Sequence, residues 1–265
     1  TTVTVASNIT SNKTWTADKV YVLASRVAVE AGAELTIEAG TIIKGQAGTG
    51  ANATALLVAR GGKLFANGTA DAPIIFTSVA DEIMPGEKVS PNLDPTLNGL
   101  WGGLIVLGYA PISASSDAIQ IEGVPPSDPN GLYGGSDAAD NAGSITYVSV
   151  RHGGANLCDG YEINGITLGG VGNGTTISNG EVVGNQDDGI EFFGGTVNVS
   201  NAVVWNAGDD AIDTDQAWSG TLDNFIVVNP GDECFELDGP EGSASGTHTI
   251  TNGTTYAGGA QGLGD

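Results

Sequence analysis

Apolar residues alternate with other residues along most of this chain, in short runs closed by glycine, asparagine or aspartate. In the stretch from Val27 to Ile43, Val27, Val29, Ala31, Ala33, Leu35 and Ile37 alternate with neighbours of other character, and Gly32 and Gly40 interrupt the run. Leu56 to Gly68 repeats the form, and Pro73 to Thr77 and Trp101 to Leu107 are further apolar runs of strand length. Period-two alternation bounded by turn residues predicts strands. No long segment carries a helical period, so the chain is expected to be all-β.

The alternation is itself repeated. Ile177-Ser178-Asn179, Val199-Ser200-Asn201, Leu222-Asp223-Asn224 and Ile250-Thr251-Asn252 recur 22, 23 and 28 residues apart, each followed by another stretch of strand character. Asn185, Asn206 and Asn229 form a second asparagine set. Self-similarity at such a period is the signature of a solenoid, and here of one turn of a parallel β-helix. Strands in successive turns lie ~4.8 Å apart, so equivalent residues stack in columns and asparagine amides can bond to one another up a column. The reading is one continuous domain over residues 1–265 with roughly nine or ten turns. Two stretches rich in Pro, Asp and Asn, about 80–98 and 124–141, break the rhythm and read as projecting loops.

Four segments share an acidic form: Asp159-Gly160-Tyr161-Glu162, Asp188-Gly189-Ile190-Glu191, Asp210-Ala211-Ile212-Asp213 and Glu233-Cys234-Phe235-Glu236. The last three start 22 and 23 residues apart, so stacking would place Asp187, Asp188, Glu191, Asp209, Asp210, Asp213, Asp232, Glu233 and Glu236 on one wall. Stacked like charges raise one another's pKa, and a hard cation relieves the repulsion, since Ca²⁺ takes six to eight oxygen ligands. A bound Ca²⁺ is therefore expected. The competing reading is that these acids sit in turns and accept backbone N–H groups. Asp137, Asp140 and Asn141, in the Gly-rich stretch Tyr133 to Gly143, are a second Ca²⁺ candidate, weighed against a plain turn.

The net charge is −23, with only 8 Lys plus Arg. Such a chain repels phosphate backbones and attracts cations, so no nucleic-acid partner is expected. No apolar run is long enough to span a bilayer, and no membrane insertion is expected. The opening Thr1-Thr2-Val3-Thr4-Val5 reads as the start of a processed or trimmed secreted chain. Cys158 and Cys234 fall in different columns. An intramolecular bridge, two buried thiols and a bridge to another chain all remain open for them.

Asn185 to Glu236, with Glu162 to Thr175 upstream and Leu35-Thr-Ile-Glu-Ala-Gly-Thr-Ile-Ile-Lys-Gly near the start, resembles a family of bacterial right-handed parallel β-helix proteins. Its members are secreted or cell-surface proteins of Bacteroidetes and proteobacteria, usually longer than this chain. The resemblance covers nearly the whole sequence. It implies the right-handed fold and a secreted, extracellular or cell-surface location, and it carries no established activity.

An enzyme reading stands beside it. Gly208-Asp209-Asp210 is similar to the paired aspartates of polygalacturonases, which are also parallel β-helices, and two carboxylates can serve as acid and base. The rest of that signature is missing: the only histidines are His152 and His248, and no arginine lies in the acidic segment. Trp101, Trp205, Trp218, Tyr109 and Tyr133 could stack on sugars or pack the core. The favoured expectation is a non-enzymatic extracellular structural or surface protein, adhesive or filament-forming. It would carry acidic Ca²⁺ sites and associate with itself through the solenoid ends, with carbohydrate as a further candidate partner. A polysaccharide lyase, glycoside hydrolase or carbohydrate-binding module is the alternative.

Overall fold

The described residues of the computed structural model are 1–158, 161–259 and 262–265, the side chain of Cys158 excepted. They form a right-handed parallel β-helix with three walls. The first wall runs through Lys13–Trp15, Glu34–Ile37, Lys63–Asn67, Gly143–Thr146 and Thr176–Ser178. The second runs through Thr2–Val5, Val20–Leu23, Ile42–Gly45, Ile74–Ser78, Val148–Arg151 and Glu181–Val183. Both walls are completed by the long strands Asn198–Trp205, Thr221–Val228 and Thr249–Tyr256, which pass from one wall into the other and join them into one 14-stranded sheet. The third wall is a separate seven-stranded sheet: Arg26–Val29, Ala55–Val58, Leu104–Leu107, Ile166–Gly169, Ile190–Phe193, Ile212–Asp215 and Phe235–Leu237. All neighbours in these two sheets pair in parallel, for example Ile166↔Ile190↔Ile212. Seven turns pass through all three walls, and a part-turn at either end brings the second wall to nine stacked strands among the described residues.

In the later turns the corner between the first two walls narrows to a single left-handed residue. Asn179, Asn201, Asn224 and Asn252 fill it with φ of 55–57°. This left-handed conformation costs most residues roughly 1–2 kcal/mol but suits asparagine. Their amides also stack: Asn224 Nδ2 donates to Asn201 Oδ1 at 2.6 Å. At the next corner, Asn206 and Asn229 are left-handed and Asn229 Nδ2 donates to Asn206 Oδ1 at 3.0 Å. Asn185 does not join that column. Val183 pairs with Trp205, so Gly184 with φ 65° takes the corner. Asn185 turns inward, and its amide donates to Ile163 O and Asp188 O.

Alternate residues of each strand point into the lumen, where like stacks on like. On the third wall one inward column reads Val27, Leu56, Leu104, Ile166, Ile190, Ile212. Trp101 and Trp218 are fully buried, and Trp218 stacks on Phe192 at 3.9 Å between ring centroids. Cys234 is a buried free thiol in this core. The pairing question for Cys158 falls outside the described residues.

Three excursions leave the solenoid. Residues 79–103 fold over the second wall, anchored by Asp81, whose carboxylate accepts from Thr77, Ser90 and the Ile83 N–H. Residues 108–142 fold over the third wall and include a small antiparallel pair, Ile119–Gln120 with Leu132–Tyr133. Arg26 to Asp128 at 3.0 Å and Tyr133 OH to Gln216 Oε1 at 3.0 Å fasten it down. Residues 152–165 form the third, with Asn156–Cys158 antiparallel to Tyr161–Glu162.

Candidate metal centre

The outward side of the third wall is covered along most of its length. One outward column reads Ala28, Leu57, Ile105, Thr167, Glu191, Asp213, Glu236. Its first half is an apolar second core, closed by Ile112, Ile121, Val124 and Tyr133 of the excursion. Its second half is acidic and continues beneath the same cover. The adjacent turn column is Asp188, Asp210, Glu233. Asp188 Oδ1 accepts the Asp210 N–H at 2.9 Å, and Asp210 Oδ1 accepts the Glu233 N–H at 2.8 Å. The acids therefore stack turn on turn, and the turn-capping reading is correct for one oxygen of Asp188 and of Asp210.

Two groups of carboxylates converge. Oxygens of Asp188, Glu191 and Asp213 lie within 4.8 Å of one another, and so do those of Asp187, Asp188 and Asp209. Asp188 is common to both. Asp188, Glu191 and Asp213 are only 6–7% exposed. A buried charge ordinarily has a cationic partner or a metal, yet the three ion pairs among the described residues lie elsewhere, at Arg26–Asp128, Lys88–Asp71 and Arg151–Glu181. Asn164 Nδ2 donates to Glu191 Oε2 and, at 3.3 Å, to Thr167 Oγ1. The Oδ1 atoms of Asn164 and Asp213 are buried without a hydrogen-bond partner among the described residues. Buried oxygens are rarely left so, and an oxygen-rich pocket with unmet acceptors is the donor set a hard cation takes.

The electrostatics follow from burial and repulsion. Burial, then Asp187 and Asp213, hold Asp188 well above the usual carboxylate range. Burial, then Asp213 and Asp188, do the same to Glu191. Burial, with Asp215 and Glu236, pushes Asp213 up to about 7. Asp210 is raised to about 7 by burial, against the lowering effect of the Glu233 N–H. Asp187, at the rim, rises to about 6 through burial and then Glu162.

Of the residues named from sequence, the structure gathers Asp187, Asp188, Glu191, Asp209 and Asp213. Asp210 and Glu233 belong to the stacked turn column, Glu236 continues the outward column, and Asp232 lies in the neighbouring turn, where it adds to the effect of burial in raising the pKa of Asp209. The segment Asp159 to Glu162 does not continue the columns. Asp159 and Gly160 fall outside the described residues, and Tyr161–Glu162 lies in the antiparallel hairpin, where Glu162 accepts from Asn156 at 3.0 Å. Asp137 and Asn141 accept the N–H groups of Ala139 and Gly143, two residues on. That is turn chemistry, and Asp140 is buried with Oδ2 unpartnered among the described residues. Sequence reading missed Asn164. Nothing local marks it, because a loop brings it to the wall. Asp215 could have been found, since it shares a face with Asp213 two residues before it.

A sequence profile described as a Pectate-lyase like beta helix domain matches residues 7–257. The chain belongs to this family. No curated protein and no solved structure matches the chain. Membership in the pectate-lyase-like β-helix family sets a coarse class, a polysaccharide-related or surface β-helix, and names no particular activity. Within this pectate-lyase-like domain the buried carboxylates Asp188 and Glu191 stand behind loops rather than in an open groove.

Proposed function

We propose that this domain is a non-enzymatic extracellular structural or surface β-helix whose acidic wall holds a structural Ca²⁺. The observation that carries the reading is the convergence of Asp188, Glu191 and Asp213 within 4.8 Å in a buried position, with Asp213 Oδ1 unpartnered among the described residues. Three carboxylates that close repel one another strongly in a low-dielectric site. A divalent ion converts the repulsion into attraction and clamps the 152–165 excursion onto the wall through Asn164, which donates to Glu191. The net charge of −23 supports the same assignment by keeping the chain soluble and concentrating cations around it. Self-association belongs to this reading as well. Thr2–Val5 and Thr249–Tyr256 each pair on one side among the described strands, and a free strand edge accepts another strand.

Calorimetric titration with Ca²⁺, with Mg²⁺ as comparison, tests the centre. The expected result is saturable binding with release of protons, since the raised carboxyls must ionise. Absence of binding at millimolar Ca²⁺ would remove the proposal. Deleting Thr1 to Thr10 tests the assembly. Oligomers that persist unchanged would exclude this strand as the connector.

A polysaccharide-active enzyme is the second reading, favoured by family membership and by Asp209–Asp210, both with raised pKa. The burial of Asp188, Glu191, Asp210 and Asp213 weighs against it, since a polymer must reach its acid and base. Release of reducing or unsaturated ends from polygalacturonate, lost in Asp210→Asn, would establish the enzyme reading over the structural one.

A further inference from the structure

A cleft of about 950 Å³ lies on the second wall, away from the acidic wall. Its floor is the outward face of Val148–Arg151 and the two strands that follow in the stack. Its side is the first excursion, from Lys88 to Pro95. The volume is at the upper end of ordinary ligand sites, roughly 300–1,000 Å³.

The floor is built rather than incidental. Ser149 Oγ donates to Glu181 Oε1 at 2.6 Å and accepts from Arg151 Nε at 2.8 Å, and Arg151 is within 3.5 Å of Glu181. The Arg151 charge is thus answered internally, leaving hydrogen-bonding edges without a net ion to offer. The side is pinned as well: His152 Nδ1 bonds to Leu97 O at 2.7 Å, and Asn206 Nδ2 donates to Pro95 O at 3.2 Å.

The backbone departs here from the turns that follow. In those turns these two corners carry asparagine or glycine, as at Asn179 and Gly184 or at Asn201 and Asn206. The strand Val148–Arg151 is instead bracketed by Tyr147 at φ 48° and His152 at φ 60°. Histidine adopts the left-handed region comparatively readily, but tyrosine there is an outlier, and such strain gathers at functional sites. Tyr147 and Trp205, 36% and 41% exposed, edge the cleft. Beyond Trp205 the wall stays apolar and open. Trp205, Val228 and Tyr256 share one column, so the Trp205 and Tyr256 rings stand two turns apart, roughly 10 Å at the strand spacing.

Flat exposed rings beside paired hydrogen-bonding groups suit a pyranose, which presents C–H groups on its faces and hydroxyls on its edges. The ring spacing suits an extended chain of sugars, with two units spanning the gap. The −23 charge of the chain selects against anionic glycans. We propose that this cleft, extended along Trp205 and Tyr256, binds a neutral polysaccharide chain without cleaving it.

The test is titration of the full chain with cellohexaose, xylohexaose, mannohexaose and laminarihexaose, and with polygalacturonate, followed by tryptophan fluorescence and calorimetry. At least one neutral oligosaccharide is expected to bind, with Kd weakened at least about tenfold by Trp205→Ala at unchanged Tm, as for a central aromatic contact. Tyr147→Asn restores the residue type used in neighbouring turns, so it should raise Tm while weakening binding. That pairing separates a ligand-holding ring from a merely structural one. Failure of every neutral oligosaccharide to bind, binding indifferent to Trp205→Ala, or binding of polygalacturonate alone would each overturn the proposal. None of these outcomes bears on Ca²⁺ at the other wall.

Discussion

Asp188 Oδ1 accepts the backbone N–H of Asp210 at 2.9 Å, one full turn further along the solenoid. The bond repeats from Asp210 to Glu233. One carboxylate oxygen in this column is therefore committed to holding adjacent turns together. The cation-ready oxygens come from combining Asp188 with the neighbouring outward column, Glu191 and Asp213. Stability and the metal centre are coupled through Asp188.

Replacing Asp213 by Asn removes a charge while keeping the shape. In chelator at pH 8, Asp213→Asn should be more stable than the parent by roughly 1–3 kcal/mol, because a buried like-charge contact is relieved. In millimolar Ca²⁺ the order should reverse, since the parent gains about 2.7 kcal/mol at one hundred times Kd and the variant does not. Thermal melts of both proteins in both buffers check this. A variant that responds to Ca²⁺ as the parent does would exclude Asp213 as a ligand.

Stability in chelator should fall as pH rises. The folded pKa values of Asp213 and Asp210 are about 7, above unfolded values of roughly 4. Between these limits the folded state binds more protons than the unfolded, so stability is fully present at about pH 4 and is lost progressively up to about pH 7. Melting temperature measured from pH 4.5 to 8 should decline in chelator and flatten in Ca²⁺. A rise with pH in chelator would contradict the assigned burial.

The Asn224 corner separates two effects. Asn224→Gly keeps the left-handed backbone at φ 57° but loses the 2.6 Å amide bond to Asn201. Asn224→Ala loses the bond and adds the left-handed cost, roughly 1–2 kcal/mol. Ala should therefore be the less stable by about that difference in urea unfolding. Equal stabilities would mean that the corner carries no conformational selection.

Phe192→Ala should be strongly destabilising. The ring is fully buried and stacks on Trp218 at 3.9 Å, and truncation of a buried aromatic costs roughly 3–5 kcal/mol. A loss below 1 kcal/mol by chemical denaturation would show that the lumen collapses around the gap.

What the chain determined by itself is local and periodic. Alternation placed the strands, because a side chain's face in a strand depends only on parity. The 22 and 23 residue spacing placed Asp188, Asp210 and Glu233 in one column, because a solenoid converts sequence period into vertical stacking. The Asn201 and Asn224 corners were legible for the same reason. Tertiary structure alone decided which acids are buried and what they meet. Glu191, Asp213 and Ile105 occupy one outward column, and alternation reads them identically. Their different fates come from excursions that have no period: 108–142 covers Ile105 with Ile112 and Tyr133, and 152–165 brings Asn164 to Glu191. Tyr161–Glu162 shows the limit from the other side. It carries the acidic form, yet it folds into an antiparallel hairpin, because a motif stacks only when the residues between its copies complete a turn.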